Sequence, residues 1–97
     1  MIVKTHKTKD NRLILAMCDE VLIGKRYEEG EKQLDLTSDF YQGIKAEERA
    51  IIELIEGAYI INAVGKKSVE LCIKKGVVDK ENINKIKGIP YAYMVRF

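Results

Sequence analysis

The period of the apolar positions changes along the chain, and those changes mark its elements. Residues 2–8 interleave aliphatic side chains with Lys, Thr and His, whereas residues 13–17 are continuously apolar. Lys9-Asp10-Asn11 between them has the composition of a tight turn. The two runs predict a β-hairpin whose second strand is covered on both faces and whose first strand is an edge. Asp19 is placed to cap a short helical turn stopped by Gly24, after which residues 25–31 read as loop. Residues 32–36 alternate enough for a short strand, and residues 37–42 predict another capped turn ending at Gly43.

A helical period begins at Ala46. Ile51, Leu54, Ile55 and Ala58 fall on one face, and Glu47 and Glu48 stand in the first turn, where carboxylates complement the helix dipole. Residues 59–61 fit either a strand or a linker. Asn62 suits an N-cap and predicts a second helix over residues 62–75, with Gly76 as its stop. The tail predicts a second hairpin, with arms at residues 83–87 and 90–97, Gly88 near its turn and Pro90 at an edge. Period-two alternation puts Tyr91, Tyr93, Val95 and Phe97 on one face of the last arm, and core packing is the expected use of so many large side chains. These elements make a two-layer α+β single domain over residues 1–97, with antiparallel hairpins and two main helices.

Length supports this reading, since 97 residues suffice for one core. A hydrophobic fraction of 46% with 33% charged residues belongs to a globular chain rather than a disordered one. No apolar run approaches a membrane span and no signal-peptide pattern opens the sequence, so the expectation is a cytoplasmic protein without a membrane partner. Two distant cysteines, Cys18 and Cys72, are too few for a disulfide framework and are expected reduced. Abundant Lys, Glu and Ile with one Pro and no Trp suits a thermophile or an AT-rich genome equally.

Charge is more informative in its distribution than in its sum of +2. Residues 1–59 carry 9 Lys/Arg against 12 Asp/Glu, a net −3, and residues 60–97 carry 8 against 3, a net +5. Most of that excess is Lys66, Lys67, Lys74, Lys75, Lys85 and Lys87. The first four stand opposite the Val69, Cys72 and Ile73 stripe of the second helix, and Lys85 and Lys87 share a strand face by alternation. If these faces adjoin they form a basic patch suited to phosphates. The alternative is a solvated face in which Glu70 neutralises Lys66 and Lys74 at four-residue spacing.

Candidate chemistry is otherwise sparse. His6 and two isolated cysteines do not make a metal-ligand set, and no cofactor is implied. His6 reads as a polar residue on an exposed strand face. Cys18 stands beside Asp19 and Cys72 lies on an apolar stripe, surroundings that favour the thiol over a reactive thiolate. The acid pairs Asp19-Glu20, Glu28-Glu29 and Glu47-Glu48 fit helix starts and solvation better than acid/base work. Val64-Gly65-Lys66-Lys67-Ser68 lacks the upstream glycine of a P-loop, because that place is Ile60. It also has Ser68 where a KH loop has its second glycine. Close packing is the expected reason for Gly65.

Ala16-Met17-Cys18-Asp19-Glu20, Gly24-Lys25, Phe40-Tyr41, Ala63-Val64-Gly65, Val69-Glu70-Leu71 and Gly88-Ile89-Pro90 occur in an order that spans nearly the whole chain. In these landmarks the sequence resembles the small archaeal family catalogued as domain of unknown function 424. The resemblance implies an archaeal cytoplasmic setting and, since members are sometimes described as RNA-binding, lightly favours RNA. It assigns no catalytic residue, and no aromatic signature of the RRM kind accompanies it. The expected function is a non-enzymatic RNA or ribonucleoprotein-binding module using the C-terminal lysines, with RNA or the ribosome as the expected partner. The alternative is a protein-interaction or self-associating module, such as a homodimer formed through the edge strand at residues 2–8. An enzyme whose site carries no recognisable motif is a third, weaker alternative.

Overall fold

The structure, a computed structural model, describes residues 1–96. Strands β1 (Ile2–Lys7) and β2 (Leu13–Cys18) form the expected hairpin, in register from Ile2 opposite Cys18 to Lys7 opposite Leu13. Its turn passes through Asn11 at a φ of 68° and is tied by the Thr8 hydroxyl, which accepts the Arg12 N–H at 2.9 Å. The segment expected as loop contains β3 (Arg26–Glu29), paired with β4 (Lys32–Asp35) in a small separate hairpin. Charged side chains at Arg26, Glu28 and Glu29 hide this strand from a hydrophobic count. Only Tyr27 of β3 turns inward, opposite buried Leu34.

A 3-10 turn at Asp39–Tyr41, capped by the Ser38 hydroxyl, leads to β5 (Ile44–Lys45). β5 pairs with Ile2 and Val3 and so covers the start of β1. Gly43 makes that approach possible, since a Cβ there would collide with the Val3 carbonyl. β1 is therefore an edge only beyond Val3. Helix α1 (Glu48–Gly57) follows, buried through Ile51 and Ile55 as its spacing requires.

The main correction concerns residues 59–66. Residues 60–64 form β6 (Ile60–Val64), parallel to β2 with Ile14 opposite Ile60 and Cys18 opposite Val64. Asn62 is thus a strand residue and not a helix cap. α2 (Lys66–Lys74) starts after it, with Gly65 at the N-cap. The tail hairpin is β7 (Asn84–Ile86) and β8 (Ile89–Val95), and β8 pairs antiparallel with β6. The strand order β5-β1-β2-β6-β8-β7 makes a mixed sheet in which one central parallel pair joins the two expected antiparallel hairpins. A parallel neighbour needs a long crossover, which residues 19–59 provide.

Both helices lie on one face of this sheet. Val3, Leu15, Met17, Ile61, Ala63 and Ala92, alternate residues of four adjacent strands, bury against Ile51, Ile55, Val69, Leu71 and Cys72 of the helices. A second cluster on the opposite face joins Cys18, Val64 and Ile86 to Leu34 and Leu36 beneath the β3–β4 hairpin. β2 is consequently covered on both faces near its end, as its unbroken apolar run predicts. The domain is a two-layer α+β fold with a hairpin laid over part of the back of its sheet.

Candidate nucleic-acid interface

The site is organised where β2 and β6 end and α2 begins. The Asp19 N–H donates to the Val64 carbonyl at 3.0 Å, carrying the ladder one residue past β2. Its carboxylate is buried and turns toward the helix rather than capping its own following turn. Oδ1 accepts the Ser68 N–H and the Ser68 hydroxyl, both at 2.8 Å, and Oδ2 accepts the Lys67 N–H at 3.0 Å. Gly65, at a φ of +105°, donates its N–H to the Pro90 carbonyl at 2.8 Å. A Cβ at Gly65 would stand 2.6 Å from Asp19 Oδ2, so packing against this carboxylate explains the glycine. The end of α2 that could attract a phosphate already holds the protein's own anion.

The lysines beyond that cap are exposed, and the fold sorts them into separate groups. Lys66 and Lys85 lie across a shallow cleft between α2 and β7, together with Lys80 from a 3-10 turn at Lys80–Asn82. Its floor is Val69, Ile73, Ile83 and Pro90. Lys67 projects instead toward Met1, Glu20, Val21 and Lys45, and Lys74 faces α1, its Nζ 3.9 Å from Glu48 Oε1. Lys75 ends α2 as its C-cap. Lys87 leaves the face of Lys85, because β7 stops at Ile86 and Lys87 enters the hairpin turn at a φ of 53°. Its N–H donates to Glu29 Oε1 at 3.2 Å. Of the six predicted residues, Lys66 and Lys85 therefore share this cleft, Lys67 and Lys74 share a separate recess with Glu48 and Glu70, and the single patch is corrected to smaller ones.

Lys80 is the residue that sequence reasoning missed. Asp79 and Glu81 flank it, so a running charge sum cancels it, although the turn points it at the cleft. Neutralisation by Glu70 is not what the structure holds. Among the described residues no carboxylate oxygen lies within 4.0 Å of the Nζ of Lys66, Lys80 or Lys85, and Lys74 pairs with Glu48. Glu70 lines the cleft without an ion pair.

The remaining candidate groups have structural surroundings. His6 is half-buried rather than exposed, stacked on Phe40 with ring centroids 4.6 Å apart, and its Nε2 lies 3.1 Å from the Phe40 carbonyl. Cys18 and Cys72 are buried and unbridged. Burial, reinforced by Asp19, pushes the Cys18 thiol up to about 12, and burial alone pushes Cys72 up to about 11. Both are thiols at neutral pH, without thiolate reactivity. Among the described residues, no group of three or more His, Cys, Asp or Glu is placed to hold a metal ion and no helix is long and apolar enough to cross a membrane.

The expected inward aromatic arm is reversed. Ala92 and Met94 face the helices, while Tyr93 lies on the other side of the sheet and is 62% exposed. Tyr91 packs against the second cluster beneath the hairpin, and Phe97 falls outside the described residues.

Comparison with known proteins agrees with this architecture. The profile of the family described as Protein of unknown function (DUF424) matches residues 6–97. The chain belongs to that family. An uncharacterized conserved protein from Methanopyrus kandleri has a similar crystal structure, with a TM-score of 0.78, 24% identity, and 99% of this chain covering 92% of that one. At that identity the likeness establishes the fold. A search of curated proteins finds no match.

Proposed function

We propose that this member of the DUF424 family is a cytoplasmic, non-enzymatic RNA or ribonucleoprotein-binding module. The observation that carries this reading is the convergence of Lys66, Lys80 and Lys85 on one cleft from three separate elements, with no carboxylate within ion-pairing distance among the described residues. Unneutralised cations gathered on a concave surface concentrate a polyanion and release its counterions on binding. The buried cysteines and the filled helix terminus give no support to a catalytic reading.

The test is RNA affinity against salt for the wild type and Lys66→Ala/Lys85→Ala. Binding should weaken steeply with salt, and the double variant should flatten the logarithmic slope by roughly 0.7 for each lost single-strand contact. No binding at low salt, or an unchanged slope in a folded variant, would remove the cleft as an RNA site.

A protein-interaction role is the second reading, favoured by the uncovered part of β1. The Thr8 N–H bond to the Arg12 carbonyl sets the hairpin phase, so the backbone groups of Thr5 and Lys7 point away from β2, beyond the reach of β5. Thr5 borders a groove lined by Val3, Ile44 and Leu54. Gradient sedimentation separates the readings: a discrete dimer indifferent to RNA and salt would favour this edge.

A further inference from the structure

We infer that the α2–β7 cleft binds an unpaired base of single-stranded RNA rather than the backbone of a duplex, and that Glu70 biases it toward bases bearing an amino group. This rests on the RNA reading above and specifies its substrate class. A site that met phosphates alone would need only its cations, yet Lys66, Lys80 and Lys85 stand around a recess floored by Val69, Ile73, Ile83 and Pro90. An apolar floor gives nothing to a phosphate and favours the flat face of a base. In a duplex the bases are stacked and paired inside, out of reach of such a floor, whereas single strands can splay them outward.

Size points the same way. The recess is shallow and about 280 Å³, room enough for the face of one base with its sugar and phosphates left outside. The lysines stand where those phosphates would lie: Lys66 at the first turn of α2, Lys85 on the edge strand, and Lys80 in the turn leading to it.

Glu70 is the feature that phosphate binding does not explain, because a carboxylate repels the polyanion its neighbours attract. It has no cationic partner within 4.0 Å among the described residues, although Lys66 and Lys74 lie at helical spacing from it. A free carboxylate beside an apolar floor is an acceptor for an amino group on a base edge. Cytosine offers its N4 amino group to such an acceptor, whereas uracil has a carbonyl oxygen at that place.

The experiment measures anisotropy of fluorescent oligocytidine, oligouridine and a mixed-sequence RNA, the last both single-stranded and annealed to its complement, at one fixed salt concentration. The proteins are the wild type, Lys66→Ala/Lys85→Ala and Glu70→Ala, each checked by circular dichroism. The wild type should prefer the single strand to its duplex by several-fold, from the burial of one base face on an aliphatic floor. It should also bind oligocytidine more tightly than oligouridine. Glu70→Ala removes a repulsive charge and should tighten both oligomers, so its diagnostic effect is collapse of the cytidine-to-uridine ratio toward one. Equal or stronger duplex binding that still depends on Lys66 and Lys85 would overturn the single-strand inference while leaving the RNA reading intact. A ratio unchanged by Glu70→Ala would overturn the role of Glu70. Absence of binding to every RNA would overturn both the inference and the reading beneath it.

Discussion

The carboxylate of Asp19 fills the space that a side chain at Gly65 would need, and it caps α2 from there with three hydrogen bonds. Two parallel strand ends and a helix start are thus joined by one acid and one missing Cβ. Asp19→Ala should destabilise the domain by about 2–4 kcal/mol, the loss of an N-cap plus buried donors left unpaired. Gly65→Ala should cost a similar amount, about 2–4 kcal/mol, from its left-handed φ and its collision with Asp19. Because Asp19→Ala removes the Cγ and Oδ2 that such a Cβ would strike, leaving only the Asp19 Cβ at 2.7 Å, the double variant should be less destabilised than the two losses added, by at least about 0.5 kcal/mol. Denaturant unfolding of the four proteins checks this, and strict additivity would refute the packing account of Gly65.

Tyr93 and Tyr91 share one face of β8 yet should respond differently to truncation. Tyr93 is 62% exposed on the back of the sheet, so Tyr93→Ala should cost less than about 1 kcal/mol. Tyr91 packs against the cluster under the β3–β4 hairpin, so Tyr91→Ala should cost about 2–3 kcal/mol. Thermal melts of both variants decide the matter; a larger loss at Tyr93 would contradict the orientation of β8.

This reversal shows what could be read in the sequence and what could not. Periodicity fixes which residues share a face, and it correctly grouped Tyr91 with Tyr93. It does not say which face meets the helices. Here small Ala92 and Ala63 fit beneath α2, and bulk was a poor guide to burial. Residues 13–17 and 46–57 were legible because a continuous apolar run and a helical stripe each have few alternatives. β6 was not, since Ile60–Val64 is short and Asn62 has the chemistry of a cap, and only the neighbouring β2 and β8 make it a central strand. The cleft was half-legible. Lys66 and Lys85 stood out by charge, whereas Lys80 was masked by its acidic neighbours and brought in by the turn before β7.

The buried thiols predict a weakness at alkaline pH. Cys18 rises from 9.0 to about 12 and Cys72 from 9.0 to about 11 on burial, and burial also carries Tyr41 from 10.0 to about 12. A raised folded value means that the native state holds its proton more tightly than the unfolded chain. The resulting stability is fully present below pH 9 and is lost as pH rises from about 9 toward 11–12. Each thiol contributes a slope of up to about 1.4 kcal/mol per pH unit in that window. Urea midpoints across the window should fall more gently in Cys18→Ala and Cys72→Ala than in the wild type, although both variants start lower at neutral pH. Parallel pH profiles would show that neither thiol is held neutral by the fold.

The lysines give a prediction that depends on their sorting by the fold. If the α2–β7 cleft is the RNA site, charge alone does not decide which lysines matter, since Lys66 and Lys67 are neighbours on one helix with equal charge. Lys66 faces the cleft, whereas Lys67 faces Met1 and Lys45, and Lys74 sits beside Glu48. The triple variant Lys66→Ala/Lys80→Ala/Lys85→Ala should therefore lower the logarithmic salt slope of single-strand binding by roughly 2, at about 0.7 per contact. Lys67→Ala/Lys74→Ala/Lys75→Ala removes the same charge and should change the slope by well under one unit, leaving only a uniform weakening from the altered long-range field. Both should fold, since exposed lysines contribute little to stability. Titrations of one oligoribonucleotide over a range of salt make the comparison directly. Equal slopes in the two triple variants would mean that RNA responds to the net charge of the C-terminal half, and the cleft would lose its claim as the contact surface.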